Sequence, residues 1–207
     1  MKLDRAFYER DTVTVARELL GKYLVHRLEG ETLCVRLTET EAYVGPIDKA
    51  CHAYNYRRTK RTSVMFGPPG HAYIYFIYGM YYCLNIVTEP EGEPCAVLLR
   101  GAAPAGDESA LFRHRFGGSA GGWTAYRRKN FLNGPGKLTL AMGLTAAQNG
   151  LDLCGQTLFL CDDPADAGLP SVPQRPFHIG TGPRIGIDYA EEAVDFPWRF
   201  TLAEDEI

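Results

Sequence analysis

The chain is 207 residues long and 45% hydrophobic, with 22 Lys and Arg against 25 Asp and Glu for a formal net charge of -3. That length predicts one domain, residues 1–207, with its own core, while the lack of a long apolar run or a secretory pattern excludes a membrane span and points to an intracellular protein. Six cysteines without CxxC spacing exclude a zinc or iron–sulfur framework, so they read as buried thiols, and neither a metal nor a cofactor is expected.

Asp11 or Thr12 caps a short helix to about Leu20, with Val13, Ala16, Leu19 and Leu20 on one side and Gly21 as its stop. KYLVHRL and TLCVRLTETEAYV read as two strands joined by a turn around Glu29–Glu31. GPIDKACHA is a loop followed by one helical turn, and YNYRRTKRTSVMFGPPG is a basic loop closed by a Pro-Pro-Gly turn. The tyrosine-rich stretch HAYIYFIYGMYYCLNIV reads as a hairpin, Ala72–Tyr78 and Tyr81–Val87, with a tight connection at Gly79. Aromatic residues suit a buried strand pair, but every buried Tyr hydroxyl needs a partner, which makes this an unusually polar core. PCAVLLRGA is a further strand, and residues 101–130 are Gly-rich and read as irregular. NGPGKLTLAMGL opens a helix near Pro135, where a missing N–H costs nothing, and QTLFLCDD and RPFHIGTGPRIGIDY are later strands. The sum is an α+β single domain around a curved, largely antiparallel sheet with a protruding β-hairpin.

Charge is segregated. Lys49–Thr88 lacks Asp and Glu but holds Lys49, Arg57, Arg58, Lys60 and Arg61; Ser109–Leu151 lacks them too and holds six Arg and Lys. Either run alone is equally a solvated loop, but two such runs flanking an aromatic strand favour a phosphate-bearing partner despite the net negative charge. Glu39, Glu41 and Tyr43 recur with period two and so share one strand face. That face is either solvated or carries a carboxylate able to act as a general base on water.

Taken in order, ETEAYVGPIDKACHA, MFGPPGHAYIYFIYGMYYCLNIV, AVLLRG, NGPGKLTLAMGL and GPRIGIDYA…PWRF resemble the alkyladenine (3-methyladenine) DNA glycosylase family over nearly the whole chain. The resemblance implies hydrolysis of the N-glycosidic bond of alkylated or deaminated purines in double-stranded DNA, without a cofactor. It places Glu41 as the general base that activates water, Arg100 as the group that helps hold that water, and the Ile187 carbonyl as a third water ligand. Tyr43, His52 and Tyr75 match the walls around an extruded base, and Asn85 the residue that disfavours guanine's amino group. Tyr78 matches a side chain inserted into the duplex, with Met80 and Tyr81 beside it. Arg57, Thr59, Arg115 and Lys137 match backbone-phosphate contacts. The implied protein is a monomer that leaves the DNA strand uncut and stays off membranes, in the cytoplasm of a bacterium or the nucleus of a eukaryote.

The chain departs from the pattern at TKRT, where the family often reads TxRN, after Arg100, where a glutamate is expected, and through Phe112–Lys129. These departures bear on the grip on DNA more than on the chemistry. Two other functions use part of the same residues. A single-strand binder with aromatic platforms has no need of Glu41 or Arg100, and a small-molecule hydrolase has no need of an exposed Tyr78.

Overall fold

The computed structural model describes residues 1–118, 122–173 and 175–204. Two short helices open the chain, α1 (Arg5–Tyr8) and α2 (Thr12–Glu18). Asp4 and Asp11 cap them by accepting the Phe7 and Thr14 N–H groups, each such cap contributing about 1 kcal/mol. Strands β1 (Tyr23–Leu28), β2 (Glu31–Val44), β3 (Ala72–Ile77), β4 (Tyr81–Thr88) and β5 (Cys95–Pro104) follow. Next come helices α3 (Glu108–Phe116), α4 (Ala125–Lys129) and α5 (Pro135–Ala141). Strands β6 (Leu158–Cys161), β7 (Phe177–Gly182) and β8 (Arg199–Glu204) finish the sheet.

The eight strands form one sheet with path order β3-β4-β5-β2-β1-β6, and β8 joins β2 to β7. Every pairing is antiparallel, as the hydrophobic alternation predicts. β2 is fourteen residues long, enough to have two partners on one edge: β1 along Glu31–Arg36 and β8 along Glu39–Glu41. β5 covers its other edge.

The β2–β5 ladder breaks register between Leu37 and Glu39, and again between Glu39 and Thr40. The break decides which way the later side chains point. Leu33, Val35 and Leu37 lie in the main core with α2, α3 and α5, whereas beyond the break it is Ala42 that joins this core and Thr40 whose hydroxyl donates to the Ala16 carbonyl of α2. An extra residue in a strand exchanges its two faces. Glu39, Glu41 and Tyr43, in step with the three core residues by count, therefore emerge on the opposite face. β5 reverses at the same level, with Val97 and Leu99 in the core before the break and Ala102 against it afterwards. Strict alternation does the rest: Ala72, Ile74, Leu84 and Ile86 face the helices, while Tyr73, Val87 and Ala96 form a second cluster on the other side with Cys51 and Met65.

The sequence reading of residues 101–130 as irregular is overturned. β5 runs on to Pro104, and α3 and α4 occupy much of the remainder, residues 119–121 lying outside the described ones. Asp107 caps α3 by accepting the Ser109 N–H, and its buried residues, Ala110, Leu111 and Phe112, are consecutive. Such a run carries no helical period, so the pattern was silent. Helix α1 and strand β8 were also missed, and GPIDKACHA forms turns with a 3₁₀ turn after it at Tyr54–Tyr56. All six cysteines are free thiols, Cys154 alone being only partly buried. Among the described residues no helix is long and apolar enough to cross a membrane.

Candidate active site

The face that β2 presents after its break lies behind a cavity of about 500 Å³, a size that suits a small-molecule-scale occupant. Tyr43, His52, Tyr73, Tyr75, Asn85, Arg100, Ile185, Ile187 and Tyr189 contribute to its wall. Tyr78, Tyr81 and Gly134–Lys137 also line it. His52 and Tyr75 meet edge to face with ring centroids 4.7 Å apart, and Tyr73 lies 5.5 Å from Tyr75. The aromatic run thus divides by parity, with alternate residues supplying the pocket and the helix-facing core.

Glu41 has no exposed surface. It sits one layer behind the wall, and three groups lining the cavity hold it. The Tyr43 hydroxyl donates to Oε2 at 2.7 Å, the Ile185 N–H donates to Oε1 at 2.8 Å, and Arg100 lies across both oxygens, with Nη1 3.4 Å from Oε2 and Nε 3.3 Å from Oε1. Burial raises the carboxyl's pKa above the usual glutamate value, and Arg100, Ile185 and Tyr43 pull it back part of the way. The same burial, with Glu41 beside it, pushes the Tyr43 phenol far up, so Tyr43 remains a donor. Arg100 also reaches Glu39 at 3.2 Å, and Arg199 of β8 closes the row at 2.6 Å from the same Glu39 oxygen.

Behind Tyr43 lies a group the sequence reading did not single out. Arg184 is fully buried with Asp48, donating to both of its carboxylate oxygens and to the Ala42 carbonyl at 2.8 Å. Its guanidinium stacks on the Tyr43 ring, 4.7 Å from the centroid. Since Ile185 is the next residue, this pair pins both the Glu41 donor and the pocket wall. The GPRIGID stretch contained the signal, but only Ile187 was taken from it. The Ile187 carbonyl accepts the Ala190 N–H at 2.8 Å and has a second lone pair to offer.

His52 donates or accepts at Nδ1 with the Tyr73 hydroxyl, 3.0 Å away, and its Nε2 lies 3.4 Å from Arg61. Burial, then the Arg61 charge, lowers its pKa to about 4. Asn85 is buried, and its amide donates to the Tyr73 carbonyl at 3.1 Å.

At the rim, Tyr78 and Gly79 both have positive φ, at 54° and 65°, and the Met80 N–H closes the turn on the Ile77 carbonyl at 3.2 Å. Two left-handed residues match the twist of a hairpin. A tyrosine there is uncommon, and it is 81% exposed, as Met80 is 62% exposed. Tyr81 is half-buried and packs closely on Gly136, where a Cβ would come within 2.8 Å of it. Lys137 donates to the side chains of Asn130 and Asn133 at 2.9 and 3.0 Å, and Arg115 lies over the Phe116 ring. Burial lowers the pKa of both cations, and Arg115 adds to the effect on Lys137. Arg57 and Thr59 lie on an exposed loop away from the cavity wall. Thr62, standing where the pattern often has Asn, organises that loop by donating to the Arg57 carbonyl and accepting the Thr59 N–H. Among the described residues no three His, Cys, Asp or Glu side chains converge to hold a metal ion.

A family model described as methylpurine-DNA glycosylase matches residues 6–206. A protein of Alkaliphilus oremlandii named "Putative 3-methyladenine DNA glycosylase" is 47% identical over 205 residues, covering 99% of this chain and 97% of its own. Proteins of the same name from Clostridium perfringens and Bacillus cytotoxicus are 44% and 48% identical, covering 100% and 97% of this chain and 98% and 95% of theirs.

Proposed function

The chain belongs to the methylpurine-DNA glycosylase family, and from that premise we propose that it is a monofunctional purine DNA glycosylase, taking alkylated or deaminated purines out of duplex DNA and hydrolysing their bond to the sugar. The observation that carries this reading is Glu41, a wholly buried carboxylate tied through Tyr43, Ile185 and Arg100 to the wall of an aromatic cavity. A plain core has no use for such a group, and a non-catalytic binder has none either.

Inside a duplex the glycosidic bond is out of reach, so the nucleotide has to leave the stack, at a cost of a few kcal/mol. Tyr78, held outward on its turn, fills the gap, with Met80 and Tyr81 as its flanks; apolar wedges of this kind bend the duplex as they enter. Arg57, Thr59, Arg115 and Lys137 hold the backbone through phosphate contacts. The extruded base lies among Tyr43, His52 and Tyr75, whose ring faces attract the flat cation that an alkylated purine presents. Asn85 stands where guanine's amino group would come and weakens the fit of the undamaged base.

Water held between Glu41, Arg100 and the Ile187 carbonyl attacks the sugar carbon as its bond to the base breaks. The base takes the electron pair of that bond, the water oxygen joins the sugar, and Glu41 receives the water's proton. A cationic base leaves neutral, so Glu41 is the one residue that must move a proton. The reaction yields a free base and an abasic site, with no covalent link to the protein. The protein works as a monomeric single domain on double-stranded DNA, without cofactor, in the bacterial cytoplasm.

The test is to incubate the protein with duplexes carrying 3-methyladenine or hypoxanthine and to score alkali-labile abasic sites. Base release with the strand intact before alkali is expected. Tight binding to the single strand but not the duplex, without abasic sites, would instead support the single-strand binder.

A further inference from the structure

Among the described residues His52 is the one imidazole in the cavity wall, and therefore the obvious proton donor for a leaving base that is not already cationic. Its surroundings argue against that role. A guanidinium has donors only, so Arg61 Nη2, 3.4 Å from Nε2, can bond only to an unprotonated nitrogen. The ring's proton then sits on Nδ1, 3.0 Å from the Tyr73 oxygen. The same guanidinium lies over the Tyr75 ring, 4.7 Å from its centroid. One exposed loop residue thus touches two walls of the slot.

We propose that Arg61 is a specificity-determining residue that locks His52 as the neutral Nδ1–H tautomer, so that the wall offers no proton to a departing base and the pocket favours bases that carry positive charge before they leave. This rests on the glycosylase reading of the cavity. A cationic purine needs no proton to depart. A neutral deaminated purine departs as an anion unless a proton reaches it, and the locked imidazole has none on the nitrogen that Arg61 occupies. Among the described residues, the titratable groups that His52 meets are Arg61, Tyr73 and Tyr75. Burial pushes both phenols up, Tyr73 to about 12, so Arg61 is the one of these that carries a charge. Burial, the larger cause of the low His52 pKa, remains when that charge is taken away, but the Arg61 share is lifted and imidazolium becomes easier to form.

The experiment uses Arg61→Gln in two readouts. In ¹⁵N-histidine spectra followed down from about pH 7, the wild type holds His52 as the neutral Nδ1–H form, and the variant loses that single tautomer and begins to titrate at a higher pH than the wild type. In single-turnover assays, the rate on a hypoxanthine duplex is divided by the rate on a 7-methylguanine duplex, which cancels the titration of Glu41. Between about pH 7 and pH 5 the ratio stays level in the wild type and rises about tenfold in Arg61→Gln, a modest part of what a positioned acid supplies. Adding His52→Asn to the variant removes the rise. An unchanged tautomer and titration in Arg61→Gln, or a level ratio, overturns the proposal. A locked tautomer in a protein that releases no base would sink the glycosylase reading and leave the Arg61–His52 coupling standing.

Discussion

Strand β2 carries two sets of side chains in the same step, and they live in different worlds. Leu33, Val35 and Leu37 lie in the helix-packed core, while Glu39, Glu41 and Tyr43 stand at and behind the wall of an aromatic cavity, separated by the broken register around Glu39. The side chains of the first set are held by apolar packing. The second is held by a row of charge and hydrogen bonds running from Arg199 through Glu39, Arg100 and Glu41 to Tyr43. The lesson is that a single extra residue lets one strand serve stability and chemistry without mixing them, and that the two halves should respond to mutation in different currencies.

The largest separation comes from Glu41→Gln. Its base-release rate should fall about a thousandfold, in the range expected for losing a positioned base, with duplex affinity kept. Because burial raises the Glu41 pKa, folding favours the neutral form, and the carboxylate costs stability once the pH climbs through that raised value. Thermal unfolding of Glu41→Gln should therefore occur at the same temperature or higher. Asp48→Ala should act on the supports of the second half, leaving Arg184 buried without its carboxylate at a cost of about 3–5 kcal/mol by denaturant titration. Leu37→Ala is the mirror image of Glu41→Gln: a loss of about 2–5 kcal/mol in stability, with the rate per folded molecule unchanged. A drop in that rate comparable with the Glu41→Gln loss would show that the break does not insulate the halves. The smallest effect belongs to Tyr43→Phe. Without the phenol's hydrogen bond the neutral form of Glu41 gains, and the acid limb of the rate should move to higher pH with the plateau rate little changed.

Much of this was legible in the sequence. Period-two spacing put Glu39, Glu41 and Tyr43 together, and the sheet, the hairpin and the helix at Pro135 follow from alternation and turn residues. The reversal within β2 was not, because an extra residue has no sequence signature of its own and shows only in pairing. Helix α3 was hidden by its adjacent rather than spaced apolar residues. The Arg184–Asp48 pair joins residues 136 apart in the chain, and Arg61 was one charge among several in a basic loop. Neither has a local signature, since both depend on which segments the fold brings together.

The pH dependence of single-turnover base release from a duplex bearing a cationic purine bears most directly on Glu41 as the buried base. An acid limb with its midpoint above the ordinary 4.5 of a glutamate, present in the wild type and lost from a slow, level Glu41→Gln profile, is the predicted result. A limb at or below 4.5, or a Glu41→Gln profile that follows the wild type, would contradict it.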